Sequence, residues 1–150
     1  MADVDNSQLG QLKVPFGLST FEVSIPDISS VGVFRDCQGL EMSFEVYTYR
    51  EGGNNDIVHQ FPSRASYPNL VLSRGVTDED ALLRWLWQTR VKAERKEVTI
   101  TLHDWGQEKK RSWSFADAFP VRWTGPQLSA ESTDLATETL EIAHSGLKMV

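Results

Sequence analysis

Residues 42–49 alternate strictly. Met42, Phe44, Val46 and Thr48 project one way, and Ser43, Glu45, Tyr47 and Tyr49 the other. A period of two held over eight residues specifies a strand and is incompatible with an amphipathic helix. The second face is part polar and part aromatic, so it suits water or a neighbouring subunit. The strand runs directly into Arg50-Glu51-Gly52-Gly53-Asn54-Asn55, where Gly and Asn accept positive φ at little cost. Residues 50–66, with Pro62 and many polar side chains, read as one long loop. The glycine run is a plain turn or a rigidly shaped loop that docks on a partner. The loop's length favours docking, because loops this long in a compact domain are usually functional.

The same period recurs along the chain. Phe21, Val23 and Ile25 alternate with Glu22 and Ser24, and a second strand over Val31 and Val33 runs to about Cys37, where Gln38-Gly39 breaks it. Leu70 and Leu72 form a short strand. Val98, Ile100 and Leu102 pair with Arg111, Trp113 and Phe115 across the turn Trp105-Gly106-Gln107-Glu108, as a hairpin. Residues 119–124 form another strand, with Pro120 at an edge or bulge. Residues 135–144 contain good helix formers, but Thr137, Thr139 and the alternation of Leu140, Ile142 and His144 favour a strand.

One helix interrupts this pattern. Thr77 caps it, Asp78, Glu79 and Asp80 fill its first turn, and Leu82, Leu83, Trp85 and Leu86 form its apolar face up to about Arg90. Trp85 belongs to the core. Trp87, two residues on, points elsewhere and covers the sheet's edge or meets another chain. Trp105, on a turn, is expected to be exposed. The sum is a mainly β chain of about seven or eight strands with one flanking helix, a β-barrel or sandwich. Residues 1–15 read as a flexible polar arm and 16–150 as a single domain.

Several function classes are disfavoured. A net charge of -6 and a pI near 5.0 do not suit binding to a nucleic-acid backbone, and Lys109-Lys110-Arg111 reads as a solvated hairpin end. No apolar run approaches the roughly 18 residues that span a bilayer, and the N-terminus lacks the pattern of a signal peptide, so the chain is expected to start in the cytoplasm without a membrane anchor. The single Cys37 allows no intrachain disulfide and reads as buried and inert. His59, His103 and His144 stand far apart without metal-ligand spacing. There is no Gly-x-Ser-x-Gly elbow, and the Gly-Gly run lacks the Lys and following helix of a phosphate loop. No catalytic, cofactor or metal residue is assigned, and no enzyme is expected.

Seven segments in order carry a family resemblance. They include Phe21-Glu22-Val23-Ser24-Ile25, Val33-Phe34-Arg35-Asp36-Cys37-Gln38-Gly39-Leu40-Glu41, and Tyr49-Arg50-Glu51-Gly52-Gly53-Asn54. Tyr67-Pro68-Asn69-Leu70 with Leu72-Ser73-Arg74-Gly75-Val76-Thr77, then Leu83-Arg84-Trp85, follow. Phe119-Pro120-Val121-Arg122-Trp123-Thr124-Gly125-Pro126 and Glu138-Thr139-Leu140-Glu141-Ile142-Ala143-His144-Ser145-Gly146-Leu147 complete the set. In this wording and order the chain resembles the short tail tube proteins of contractile phages and extracellular contractile injection systems, a family similar in fold to the type VI secretion tube protein.

The resemblance implies a β-barrel subunit forming homo-hexameric rings that stack into a hollow inner tube. Sheath protein surrounds such a tube, baseplate and terminator proteins hold its ends, and cargo protein or DNA passes along its lumen. It implies neither catalysis nor a cofactor, and places the protein in a phage virion or in a released or cell-associated particle. Inter-subunit or ring-stacking contact is expected at Arg50, Glu51, Gly52, Gly53, Asn54, Asn55, Asp56 and Trp87. A tube-initiating or baseplate subunit is a variant of this reading. A monomeric β-sandwich that binds carbohydrate or protein, using Trp87 or Trp105, is the alternative.

Overall fold

The computed structural model describes residues 20–28, 34–53 and 56–150. The expected arm, residues 1–15, and the strand residues Val31 and Val33 lie outside them. The elements in chain order are β1 (Thr20–Ser24), β2 (Asp36–Gln38), β3 (Ser43–Arg50), β4 (Val58–Ser66), β5 (Leu70–Gly75), α1 (Ala81–Thr89), β6 (Lys96–His103), β7 (Lys109–Thr124), β8 (Thr137–Ala143) and β9 (Gly146–Met149). The described residues thus form nine strands and one helix, all pairings being antiparallel.

Seven strands build one sheet in the order β1-β6-β7-β8-β5-β2, with β9 also on β7. Its spine is β7, a strand of 16 residues. On one side β6 pairs with it from Lys109 to Ala118. On the other, β9 pairs with Trp113–Ala116 and β8 with Phe119–Thr124, the gap being closed by the Ser145 amide donating to the Ala116 carbonyl at 2.9 Å. The sequence separates residues 111–115 from 119–124. The chain joins them by placing Asp117 at φ 53, a conformation Asp tolerates, so the strand continues through a kink. The register slips between Pro120 and Arg122, the bulge expected at the proline.

Alternation sorts the core as the sequence predicts. Val23 of β1, Leu70 and Leu72 of β5, Val98 and Ile100 of β6, Phe115 of β7 and Leu140 and Ile142 of β8 are all buried. Residues 137–143 form a strand, in agreement with their alternation. Trp85 is buried, with its indole N–H donating to the Glu94 carbonyl at 3.0 Å, and α1 packs on β7.

The helix begins later than its sequence suggests. Thr77 accepts only from the Glu79 amide, and Asp80, at the cap position, makes no side-chain cap bond. Its carboxylate instead grips the Arg84 guanidinium at 3.0 and 3.1 Å, an i,i+4 pair that withdraws it from the free amides.

Beyond the main sheet stands a hairpin of β3 and β4 alone. It corrects the expectation of a loop over residues 50–66: Val58–Ser66 is a strand, and the turn is confined to residues 51–57. A two-stranded ribbon has no core face, so β4 shows no burial alternation. Both strands are edges, so Pro62 is tolerated opposite Val46.

Candidate assembly surface

All eight residues of β3 are exposed. Phe44, Val46, Tyr47 and Phe61 have between 52% and 62% of their surface open to solvent. Tyr47 stands opposite Phe61 and Tyr49 opposite His59, while Val46 faces Pro62 and Arg50 faces Val58. Because cross-strand partners share a face, one side of the ribbon carries an aromatic ladder, and the imidazole of His59 stacks on Phe61 at 6.4 Å. The other side carries Phe44, Val46, Val58, Pro62 and Ala65 together with Thr48, Gln60 and Arg50. A soluble domain rarely exposes such apolar side chains together without a partner, and an isolated two-stranded hairpin is marginally stable by itself.

The expected contact residues divide between two places. Arg50, Glu51, Gly52, Gly53 and Asp56 gather at the hairpin tip, where Glu51 lies 4.0 Å from the His59 imidazole. Asn54 and Asn55 fall outside the described residues. Gly53 has φ +101, which requires glycine there, whereas a Cβ on Gly52 meets nothing within 4 Å. Trp87 is not part of this tip. It stands on α1 and is 57% exposed. Beside it lies a cleft lined by Leu86, Thr89, Arg90, Pro120 and Val121, and the Arg90 guanidinium covers the indole at 5.1 Å. Trp105 is exposed at its turn, as expected. That turn is fixed by Asp104, whose carboxylate accepts from the Gly106 and Glu108 amides. The Glu108 amide foremost, then Lys110, hold Asp104 below the usual carboxylate pKa.

Sequence reasoning missed a buried polar network on the main sheet. Arg74, buried in β5, donates from Nε to Glu138 Oε1 at 2.6 Å and from Nη2 to the Glu79 carbonyl at 3.1 Å. Glu138 Oε2 accepts from the Trp123 indole at 2.9 Å, and the Phe34 ring lies 5.7 Å from the guanidinium carbon. The network ties β5, β7 and β8 to the entry of α1. Its one sequence signal is phase, since Arg74 falls on the buried face with Leu70 and Leu72. Cys37 is only half-buried in β2, short of the buried residue expected from sequence, and this partial burial raises its thiol from 9.0 to about 11. Among the described residues no His, Cys, Asp and Glu cluster with metal-binding geometry occurs, and no helix is long and apolar enough to cross a membrane.

The sequence profile of the T4-like virus tail tube protein gp19 matches residues 19–148. The chain belongs to that family. No curated protein matches the sequence. Among solved structures, this tail tube protein is similar to a chain of the extracellular contractile injection system PVC sheath-tube complex in its extended state. The two are 26% identical, 97% of each chain is covered, and the TM-score is 0.81. A chain of the anti-feeding prophage (AFP) baseplate is 25% identical over 93% of the tail tube protein and 97% of its own length, with a TM-score of 0.79. A type six secretion system protein is 9% identical with a TM-score of 0.60, covering 86% of this chain and 81% of that one, and shares the fold.

Proposed function

We propose that the protein is the repeating subunit of the inner tube of a contractile phage tail or a phage-tail-like injection system. The observation that carries this reading is the family match over residues 19–148, supported by the resemblance to a subunit of a sheath-tube complex. Hexameric rings of the subunit stack into a hollow tube. Sheath contraction drives that tube through a target envelope, and cargo protein or DNA passes along the lumen. Sheath protein surrounds the tube, and baseplate and terminator proteins close its ends. The subunit acts mechanically, without catalysis or cofactor, and is assembled in the cytoplasm.

Residues 16–150 act as one domain. The hairpin supports the contact assignment: it presents apolar side chains on both faces, with Arg50–Asp56 at its tip, and Trp87 offers a second anchor. Negative-stain electron microscopy of the purified protein, with light scattering for mass, tests the reading. Rings or hollow tubes of a single diameter are expected. A monomer at every concentration, even with a baseplate template, removes it and restores the monomeric binding module.

A further inference from the structure

We infer that His103 is a proton-operated latch on the edge strand β1: charged, it ties β1 to β6, and neutral, it lets the start of β1 loosen. The device belongs to the single subunit and does not depend on the tube reading.

β1 is an edge strand that pairs with β6, from Thr20 opposite His103 to Ser24 opposite Thr99. Two acid–base contacts hold it there, one towards each end. Just past its end, the Asp27 carboxylate lies 3.4 Å from Lys96 Nζ. Near its start, the Glu22 carboxylate lies 3.5 Å from His103 Nε2. Lysine stays charged across the physiological range, whereas histidine changes charge within it. The first contact is therefore permanent and the second conditional.

The surroundings of the ring decide which form the latch needs. His103 Nδ1 lies 3.4 Å from the Gln107 carbonyl. Nε2 is shut off from solvent, has no hydrogen bond among the described residues, and meets the Glu22 carboxylate. Both nitrogens thus face acceptors. A neutral imidazole carries one N–H and can serve only one of them, which leaves a lone pair against the other oxygen. The imidazolium carries two and serves both. The Gln107 carbonyl is held in place, because Gln107 sits at φ 62 in a turn closed by its own amide donating to the Asp104 carbonyl at 3.0 Å.

The other charged groups around the ring act in the same direction. The turn after β6 brings Asp104 and Glu108, with Lys110 Nζ at 3.1 and 2.8 Å from their carboxylates. Lys109 is the register partner of His103 on β7 and is exposed. Together with Glu22, three carboxylates oppose two ammonium groups, so the local field favours the cation.

The latch adds stability in acid, below the roughly pH 6.5 at which a free histidine titrates, and that stability is lost as pH rises. Its carboxylate partner stays ionised above about pH 5, so both charges are in place between there and neutrality.

Hydrogen exchange of the full-length subunit tests the latch, read on a peptide covering β1 at about pH 5.5 and about pH 8 and corrected for the intrinsic pH dependence of exchange. Protection of β1 in the unmodified chain is expected to fall about fivefold at the higher pH, the size of a partly exposed ion pair. His103→Lys, charged at both values, is expected to remove the difference and keep the protection. His103→Gln is expected to remove the difference and hold protection at the lower level. Glu22 is exposed, so Glu22→Gln leaves the fold intact and is expected to shrink the difference from the other side of the contact. His59 and His144 are present in every variant, so their titration cancels. Equal protection of β1 at both pH values in the unmodified chain overturns the latch, as does a pH difference that survives undiminished in His103→Gln or Glu22→Gln.

Discussion

Arg74 and Glu138 face each other across β5 and β8, and their 2.6 Å contact leaves the second oxygen of Glu138 for the Trp123 indole at 2.9 Å. One carboxylate thus satisfies a buried cation and a partly buried ring N–H on two neighbouring strands. Losing one partner strands the other in a low-dielectric interior. Arg74→Met is expected to lower stability by about 3–5 kcal/mol, and Arg74→Met with Glu138→Leu to recover most of it. Urea denaturation of the unassembled subunit checks this. A double variant no more stable than Arg74→Met contradicts the pairing.

His144 lies edge-on to Phe115 at 4.8 Å and tilted against Tyr67 at 5.5 Å, with neither ring nitrogen hydrogen-bonded. It is therefore a packed aromatic. His144→Phe removes two unsatisfied polar atoms and keeps the ring contacts, so it is expected to gain about 1 kcal/mol. His144→Ala opens a hole and is expected to lose about 2 kcal/mol or more. Thermal unfolding of the two variants reads the difference.

Gly39 and Gly52 separate fold from assembly. Gly39 has φ +98, and a Cβ there runs into the Asn69 carbonyl. Gly39→Ala is expected to cost about 2 kcal/mol or more, because strain and a backbone clash add. Gly52→Val meets open space at the hairpin tip and is expected to leave subunit stability within about 0.5 kcal/mol while blocking tube formation. Denaturation followed by electron microscopy distinguishes the two. Normal tubes from Gly52→Val remove the tip from the contact.

Cys37 gives a pH signature. Burial raises its folded-state thiol from 9.0 to about 11, so the native state holds a proton that the unfolded chain releases. The stability this provides is complete below about pH 9 and is lost as pH rises towards 11. Cys37→Ser is expected to flatten the decline of stability across that window. Thiol labelling of the native subunit at pH 8 is expected to be far slower than that of the urea-unfolded chain.

Much of this fold was legible because burial writes a period into sequence. Val23, Leu70, Leu72, Val98, Ile100, Leu140 and Ile142 alternate with outward residues and are buried in the sheet, and Trp85 occupies the helix face predicted for it. What escaped notice obeys other rules. Strand β4 has no buried face, so Val58 to Ser66 carries no period, and Pro62 gives the opposite signal. The helix start was misplaced because Asp80 is drawn to Arg84, a side-chain choice that capping patterns do not encode. Arg74 betrays its burial only by phase. The tip residues were identifiable as a group, but their setting on an exposed ribbon, and their separation from Trp87, depend on tertiary structure alone.

β7 is paired along most of its 16 residues, from β6 over Lys109–Ala118 on one side and from β9 and β8 in succession over Trp113–Thr124 on the other, with breaks only at its irregularities. Antiparallel rungs lie across the strand direction. A load along β7 therefore falls on all its rungs at once in shear and cannot open them singly from one end. For a part meant to be pushed hard and only once, the spine resists thrust as a whole, and failure under force is directed to the short ladders at the margins, where β1 and β2 are held by a few residues each.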